Sequence, residues 1–148
     1  MCGQSRLPLH VRPAFLLRRA YRVGVAIFDD EVGHRLDITN TQYGMLMAIA
    51  SAPDVNVAKT ARLVGMDRAN AHLSVKNLTQ KGLIEASADP EDRRRTVLRA
   101  TAAGRRLLRD GHSSIVRAQE RLLANLSEAD RDHLIRILKR LAPPLPKE

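Results

Sequence analysis

The chain has 148 residues, with 25 lysines and arginines against 16 aspartates and glutamates, a formal charge of +9 and a pI near 10.8. That length allows one domain, alone or with dimerisation arms, and the basic balance points to a polyanionic partner. A single cysteine, Cys2, excludes an intramolecular disulfide and a cysteine-built zinc cage and suits a reducing cytoplasm, while no apolar run approaches the ~20 residues of a membrane span.

Residues 1–12 carry no clear period and read as an arm, without the long apolar core of a secretory signal. From Ala14 to about Leu36 the pattern is helical. Leu17, Tyr21, Gly24, Phe28 and Val32 form one stripe, and Leu16, Ala20, Val23 and Ile27 a second beside it. A helix apolar over so much of its circumference needs two partners, its own core and a second subunit. Gly33 and His34 are expected to end it. Residues 1–36 are thus an arm and a dimerisation helix. Thr39 with Gln42 three residues on is a capping box, and Tyr43, Leu46, Met47 and Ala50 are the expected inner face of the helix it opens.

Asn56 caps a short helix, Val57 to Val64, which Gly65 can end in the left-handed conformation. Asp67 caps a second helix, Arg68 to Lys81. Two helices joined by a short Gly-containing turn mark a helix-turn-helix. Ala71, Val75 and Leu78 give the second helix a buried stripe. Its opposite face carries Ala69, His72, Leu73, Lys76 and Gln80, with Arg68 and Asn70 in the first turn. Gly82 stops the helix and Leu83-Ile84 starts a strand. Asp89-Pro90-Glu91-Asp92 is turn chemistry, Arg93-Arg94-Arg95 follows, and Thr96 to Ala100 is expected to alternate as the returning strand. The expected fold is mainly α with a small β wing, a winged helix-turn-helix over 37–101.

Thr101 caps a long helix from Ala102 to roughly Asn125, about 36 Å at ~1.5 Å per residue. Its stripe is Leu108, Gly111, Ile115, Ala118 and Leu122. Ser127 with Asp130 caps a last helix whose Leu134, Ile137, Leu138 and Leu141 are expected to face inward, and Pro143-Pro144 to end it. Residues 102–148 complete the dimerisation region. Helices from both chain ends carry more apolar surface than a small winged-helix core can cover, so a homodimer is expected, with recognition helices roughly 34 Å apart on a pseudo-palindromic operator. Charge alone does not locate the DNA site. Residues 56–101 hold 9 basic and 5 acidic groups, and residues 102–148 hold 10 and 6, so each segment carries +4.

The segment from Asp92 to Gly104 resembles the multiple antibiotic resistance regulator (MarR) family, whose pattern there is Asp, any residue, Arg, five residues, Leu-Thr and a Gly shortly after. Asp92, Arg94, Thr101 and Gly104 match it, and Ala100 stands in for the Leu. Leu78 to Ile84 is similar to the family's end of the recognition helix and first wing strand, with Thr79 for a common Glu. Gln42-Tyr43-Gly44 and Val64 to Ala69 look like a branch controlling catabolism of aromatic acids. The resemblance implies a dimeric repressor whose DNA affinity falls when a small, often phenolic, ligand binds between the dimerisation and DNA-binding regions.

Each candidate residue has a plainer reading. The arginine run could be a solvated charge run, but its place at a hairpin tip favours DNA. The family pattern has Arg94 pair with Asp92 and fix the wing, leaving Arg93 or Arg95 for the minor groove or its phosphates. Arg68, Ala69, Asn70 and Lys76 are expected at the DNA, and His72 near it. Leu73 either packs on the preceding helix or touches a thymine methyl. The effector site is sought where the first two long helices meet the helix after the wing, among Arg18, Arg22, Phe28, His34, Tyr43 and Met47. Phe28, Tyr43 and Met47 at helical spacing also read as core, and an anionic effector, an aromatic acid or its CoA thioester, needs Arg18, Arg22 or His34. Cys2, in a tail expected to fray, is a poor sensing thiol. His10, His34, His72, His112 and His133 show no metal spacing. No nucleophile triad, paired carboxylates or phosphate-binding loop suggests an enzyme or a cofactor. The competing expectation is a winged-helix module that binds an acidic protein.

Overall fold

The computed structural model describes residues 8–52, 55–89 and 96–142. After a 3-10 turn at Leu9–Val11, helix α1 spans Pro13–Phe28, opening on a proline whose missing N–H costs nothing in a first turn. It does not end at Gly33 and His34 as expected. A π-helical turn, Asp29–Gly33, carries it into α2, His34–Leu36. The reason is local: the Asp29 carbonyl accepts from the His34 backbone amide and also lies 2.6 Å from His34 Nδ1. The helix ends instead at Asp37, left-handed with φ of 49°.

Helix α3, Asn40–Ser51, has the expected capping box: Thr39 Oγ1 accepts from the Gln42 amide at 3.1 Å, and Gln42 Oε1 accepts from the Thr39 amide at 3.2 Å. Its inner face differs from expectation. Tyr43 and Leu46 are buried with Gln42, Met45 and Ile49, whereas Met47 is 49 % exposed and Ala50 is exposed. Helices α4, Val57–Val64, and α5, Arg68–Gln80, follow, then strands β1, Ile84–Ala88, and β2, Thr96–Ala100. The strands pair antiparallel with Ile84 opposite Ala100 and Ala88 opposite Thr96. Val55 adds a single bridge to Leu98, whose amide donates to its carbonyl at 2.7 Å. The expected alternation of β2 is broken, because Val97 and Leu98 are both buried.

Helix α6, Ala102–Leu122, is capped by Thr101 and stops about a turn before Asn125; α7, Glu128–Leu141, is capped by Ser127. One core runs through the junction of these elements, from Phe28 and Val32 through Tyr43, Leu46 and Ile49 to Ala71, Leu78, Ile84 and Leu98. Burying each large aliphatic side chain there contributes about 1.5–3 kcal/mol. The α1–α2 segment is also clamped to α6. Arg121 bridges Asp30 and Glu31, each at 3.1 Å. Those hydrogen bonds, Glu31 first, raise its pKa. Arg35 and Arg117 both donate to the fully buried Ser114 hydroxyl, at 3.0 and 2.8 Å.

The outward ends are less covered. Helix α7 has no buried residue, and Ile137, Leu138 and Leu141 are exposed rather than facing inward. On α1, Leu16, Leu17, Tyr21 and Val23 are exposed as well. Among the described residues no helix is long and apolar enough to cross a membrane.

Candidate nucleic-acid interface

The presentation of α5 is set by its two ends. At the start, Asn56 Oδ1 caps α4, accepting from the Lys59 amide at 2.8 Å. Gly65 then turns the chain at φ 68°, a conformation that a side chain would strain. Asp67 caps α5, accepting from the Asn70 amide at 2.9 Å. These bonds hold the Asp67 carboxyl below its ordinary range, the Asn70 backbone bond contributing most.

Along α5, Ala71, Ser74 and Leu78 are buried and Val75 is half-buried. The sequence stripe missed Ser74, which is polar but sits between the apolar positions. Arg68, Ala69, Asn70, His72, Leu73 and Lys76 are all exposed on the other side, as the spacing predicts. Leu73, 56 % exposed, does not pack into the core. The Asn70 side chain is partly engaged, donating from Nδ2 to Asp67. A helix held along one edge, with cations, an amide and an exposed leucine on the other, can meet phosphates and base edges.

The wing strands lie beside α5, with Arg99 Nη1 donating to Ser87 Oγ at 3.3 Å. Asp92, Arg93, Arg94 and Arg95, and Cys2 and Pro143-Pro144, lie outside the described residues. Lys59 on α4, which the sequence reading did not single out, is also exposed. Its signal was available: the first helix of such a pair crosses the DNA backbone.

The effector candidates do not converge on one cleft. Phe28 and Tyr43 meet edge to face at 5.6 Å inside the core, and burial raises the Tyr43 phenol pKa. Met47 is exposed because the inner face of α3 runs through Met45 and Ile49. Arg18 and Arg22 are exposed on α1 and line neither cleft at this junction. His34 lines a small cleft of about 360 Å³ with Asp29, Asp37 and Lys81. A larger cleft of about 680 Å³ opens between Tyr21 of α1, the start of α3 at Thr39, Asn40 and Thr41, and the α5 residues Asn70, Leu73 and Asn77. Its polar lining is mostly hydroxyls and amides, which a search for arginine or histidine passes over. Among the described residues no group of His, Cys, Asp or Glu is placed to hold a metal ion.

Residues 36–95 match the MarR family. The chain is 34 % identical over 127 residues to a proposed transcriptional regulatory protein for the hcr operon of Thauera aromatica, covering 86 % of this chain and 76 % of that protein. The PcaV transcriptional regulator of Streptomyces coelicolor, in complex with its natural ligand, superposes with a TM-score of 0.84 at 28 % identity, over 93 % of this chain and 96 % of PcaV. The transcriptional repressor CouR bound to a 23-mer DNA duplex gives a TM-score of 0.82 at 26 % identity, over 93 % of this chain and 99 % of CouR. The winged helix, the capped recognition helix and these likenesses agree: the chain belongs to the MarR family of transcriptional regulators.

Proposed function

We propose that this regulator is a cytoplasmic homodimeric repressor of double-stranded DNA, released from a pseudo-palindromic operator by a small aromatic or phenolic acid or its CoA thioester. The observation that carries the reading is α5 itself, fixed along Ala71, Ser74 and Leu78 with Arg68, His72, Leu73 and Lys76 turned outward. Arg68 and Asn70 in its first turn meet base edges, Ala69 lets the helix approach, His72 and Lys76 meet phosphate, and Leu73 takes a thymine methyl. Asp92 and Arg94 brace the wing while Arg93 or Arg95 reaches the minor groove. The exposed apolar faces of α1 and α7 support dimerisation through segments 1–36 and 102–148, leaving 37–101 to the DNA.

The effector enters the larger cleft, where Asn70, Leu73 and Asn77 line one wall, so a ligand there touches the recognition helix directly. Hydroxyls and amides suit a phenol, whose O–H the Asp67 carboxylate in the lining can also accept, and Val64 and Met66 supply apolar surface for a ring. The test is anisotropy of a labelled duplex from the gene's own upstream region, titrated with aromatic acids and their CoA thioesters. Release by one compound is the expected result. Binding indifferent to all of them would remove the aromatic effector, and equal affinity for scrambled duplex would favour an acidic protein partner.

A further inference from the structure

Lys81 follows the last residue of α5 and looks, from its place, like one more cation for the phosphate backbone. Its contacts point elsewhere. The ammonium donates to the Asp37 backbone carbonyl and to Asp37 Oδ2, the latter at 2.8 Å. Asp37 is the left-handed corner where α2 ends, two residues before Thr39 opens α3. It is also the one non-glycine residue with positive φ among the described residues. Lys81 thus joins the end of the recognition helix to the corner between the α1–α2 rod and the DNA-binding region.

The same end of α5 is tied on its other side. Thr101 Oγ1 donates to the Gly82 carbonyl at 2.7 Å, and the Thr101 amide donates to the Leu83 carbonyl at 3.0 Å. With α6 holding one side and Asp37 the other, the C-terminal end of α5 is a fixed pivot. The N-terminal end borders the larger cleft through Asp67 and Asn70 and is held by the Asp67 cap and by the buried Ala71 and Ser74. A helix free at both ends would have to be ordered on every DNA encounter. One held at its base is ordered in advance.

We propose that Lys81 is a positioning residue, a tether from the recognition helix to the Asp37 corner that preorganises α5 for DNA without neutralising a phosphate itself. The tether rests on the DNA-binding reading above. The Asp37 side chain is 95 % exposed and that of Lys81 31 %, so the tether adds little to folding. Its effect is on the angle and mobility of α5.

The test uses the full chain and a duplex enriched by the wild-type protein from a random-sequence pool, with affinity measured over a series of salt concentrations. Lys81→Met is expected to weaken binding about fivefold and Asp37→Asn about twofold, the double variant matching Lys81→Met, all melting with the wild type. The slope of log affinity against log salt is expected to stay at the wild-type value. Two results overturn the tether. One is a slope shallower by about 0.9 for Lys81→Met, the mark of a lost phosphate contact. The other is unchanged or tighter binding by Asp37→Asn, which simple removal of a negative charge near DNA would give. Asn keeps the left-handed corner accessible, so its result is not confounded by the backbone. Failure of the wild type to enrich any duplex would instead overturn the DNA-binding reading, and the tether with it.

Discussion

The carbonyl oxygen of Leu83 stands 2.1 Å from where a Cβ on Gly104 would be placed. The first turn of α6 therefore passes directly against the chain leaving the recognition helix, and only a residue without a side chain fits. This gives a physical reason for a glycine shortly after the wing. The obstacle is backbone, which cannot swing aside as a side chain could. Gly104→Ala gains about 1 kcal/mol of helix propensity but is expected to lose about 3 kcal/mol net through overpacking. Thermal unfolding should fall by roughly 10 °C. An unchanged melting temperature would show that the two segments can separate at no cost.

Asp67 links the recognition helix to pH. Its carboxyl is held below the ordinary value by the bonds it accepts, first from the Asn70 amide. A depressed folded pKa means that the contribution is fully present above the unfolded value, near 3.8, and is lost as pH falls below it toward the folded value. Asp67→Ala should flatten the acid side of the stability profile over that window. At neutral pH it should weaken DNA binding, because Arg68 and Asn70 sit in the turn that frays. A titration of the carboxyl by NMR showing an ordinary pKa would remove the cap as the cause.

Lys76 and Arg68 should fail differently. If Lys76 meets phosphate as proposed, Lys76→Ala should lower affinity about equally for all duplexes and make the salt slope shallower by about 0.9. If Arg68 meets a base edge as proposed, Arg68→Ala should cost about 1–3 kcal/mol against the preferred sequence and much less against scrambled DNA. Equal losses on both duplexes for Arg68→Ala would move that residue to the backbone.

The exposed stripe of α7 predicts its own partner. Leu138 and Leu141 are 38 % and 63 % exposed in a single chain. Leu138→Glu should convert the proposed dimer to a monomer in sedimentation analysis while leaving the helix content intact. DNA affinity should then collapse, because each half-site is bound alone. A variant that stays dimeric would place the interface elsewhere.

What could be read from the sequence follows the range of the interactions involved. Thr39, Asn56, Asp67, Thr101 and Ser127 all cap the helices they were expected to cap, because a cap is decided within three residues. The buried and exposed sides of α5 were legible for the same reason, since Arg68 and Lys76 against Ala71 and Leu78 leave one choice of face. The face of α3 was not. Met45, Met47, Ile49 and Ala50 are all apolar, so periodicity cannot choose among them, and only contact with the rest of the core does. The π-helical turn has no period that marks it in the sequence; in the structure the His34 amide and ring reach back to the Asp29 carbonyl. The Val55–Leu98 bridge joins residues far apart in sequence. The larger cleft is least legible of all: Tyr21, Asn40 and Asn77 come from three helices and share no spacing.

In the proposed function the outer face of α5 reads DNA sequence. The decisive comparison is the affinity of the wild-type protein for a duplex from its own upstream region against that for a scrambled duplex of the same composition, at about 0.15 M salt. A preference of at least about 10³-fold is expected, falling steeply as salt is raised. Equal affinity for the two duplexes, or binding with no salt dependence, would contradict it.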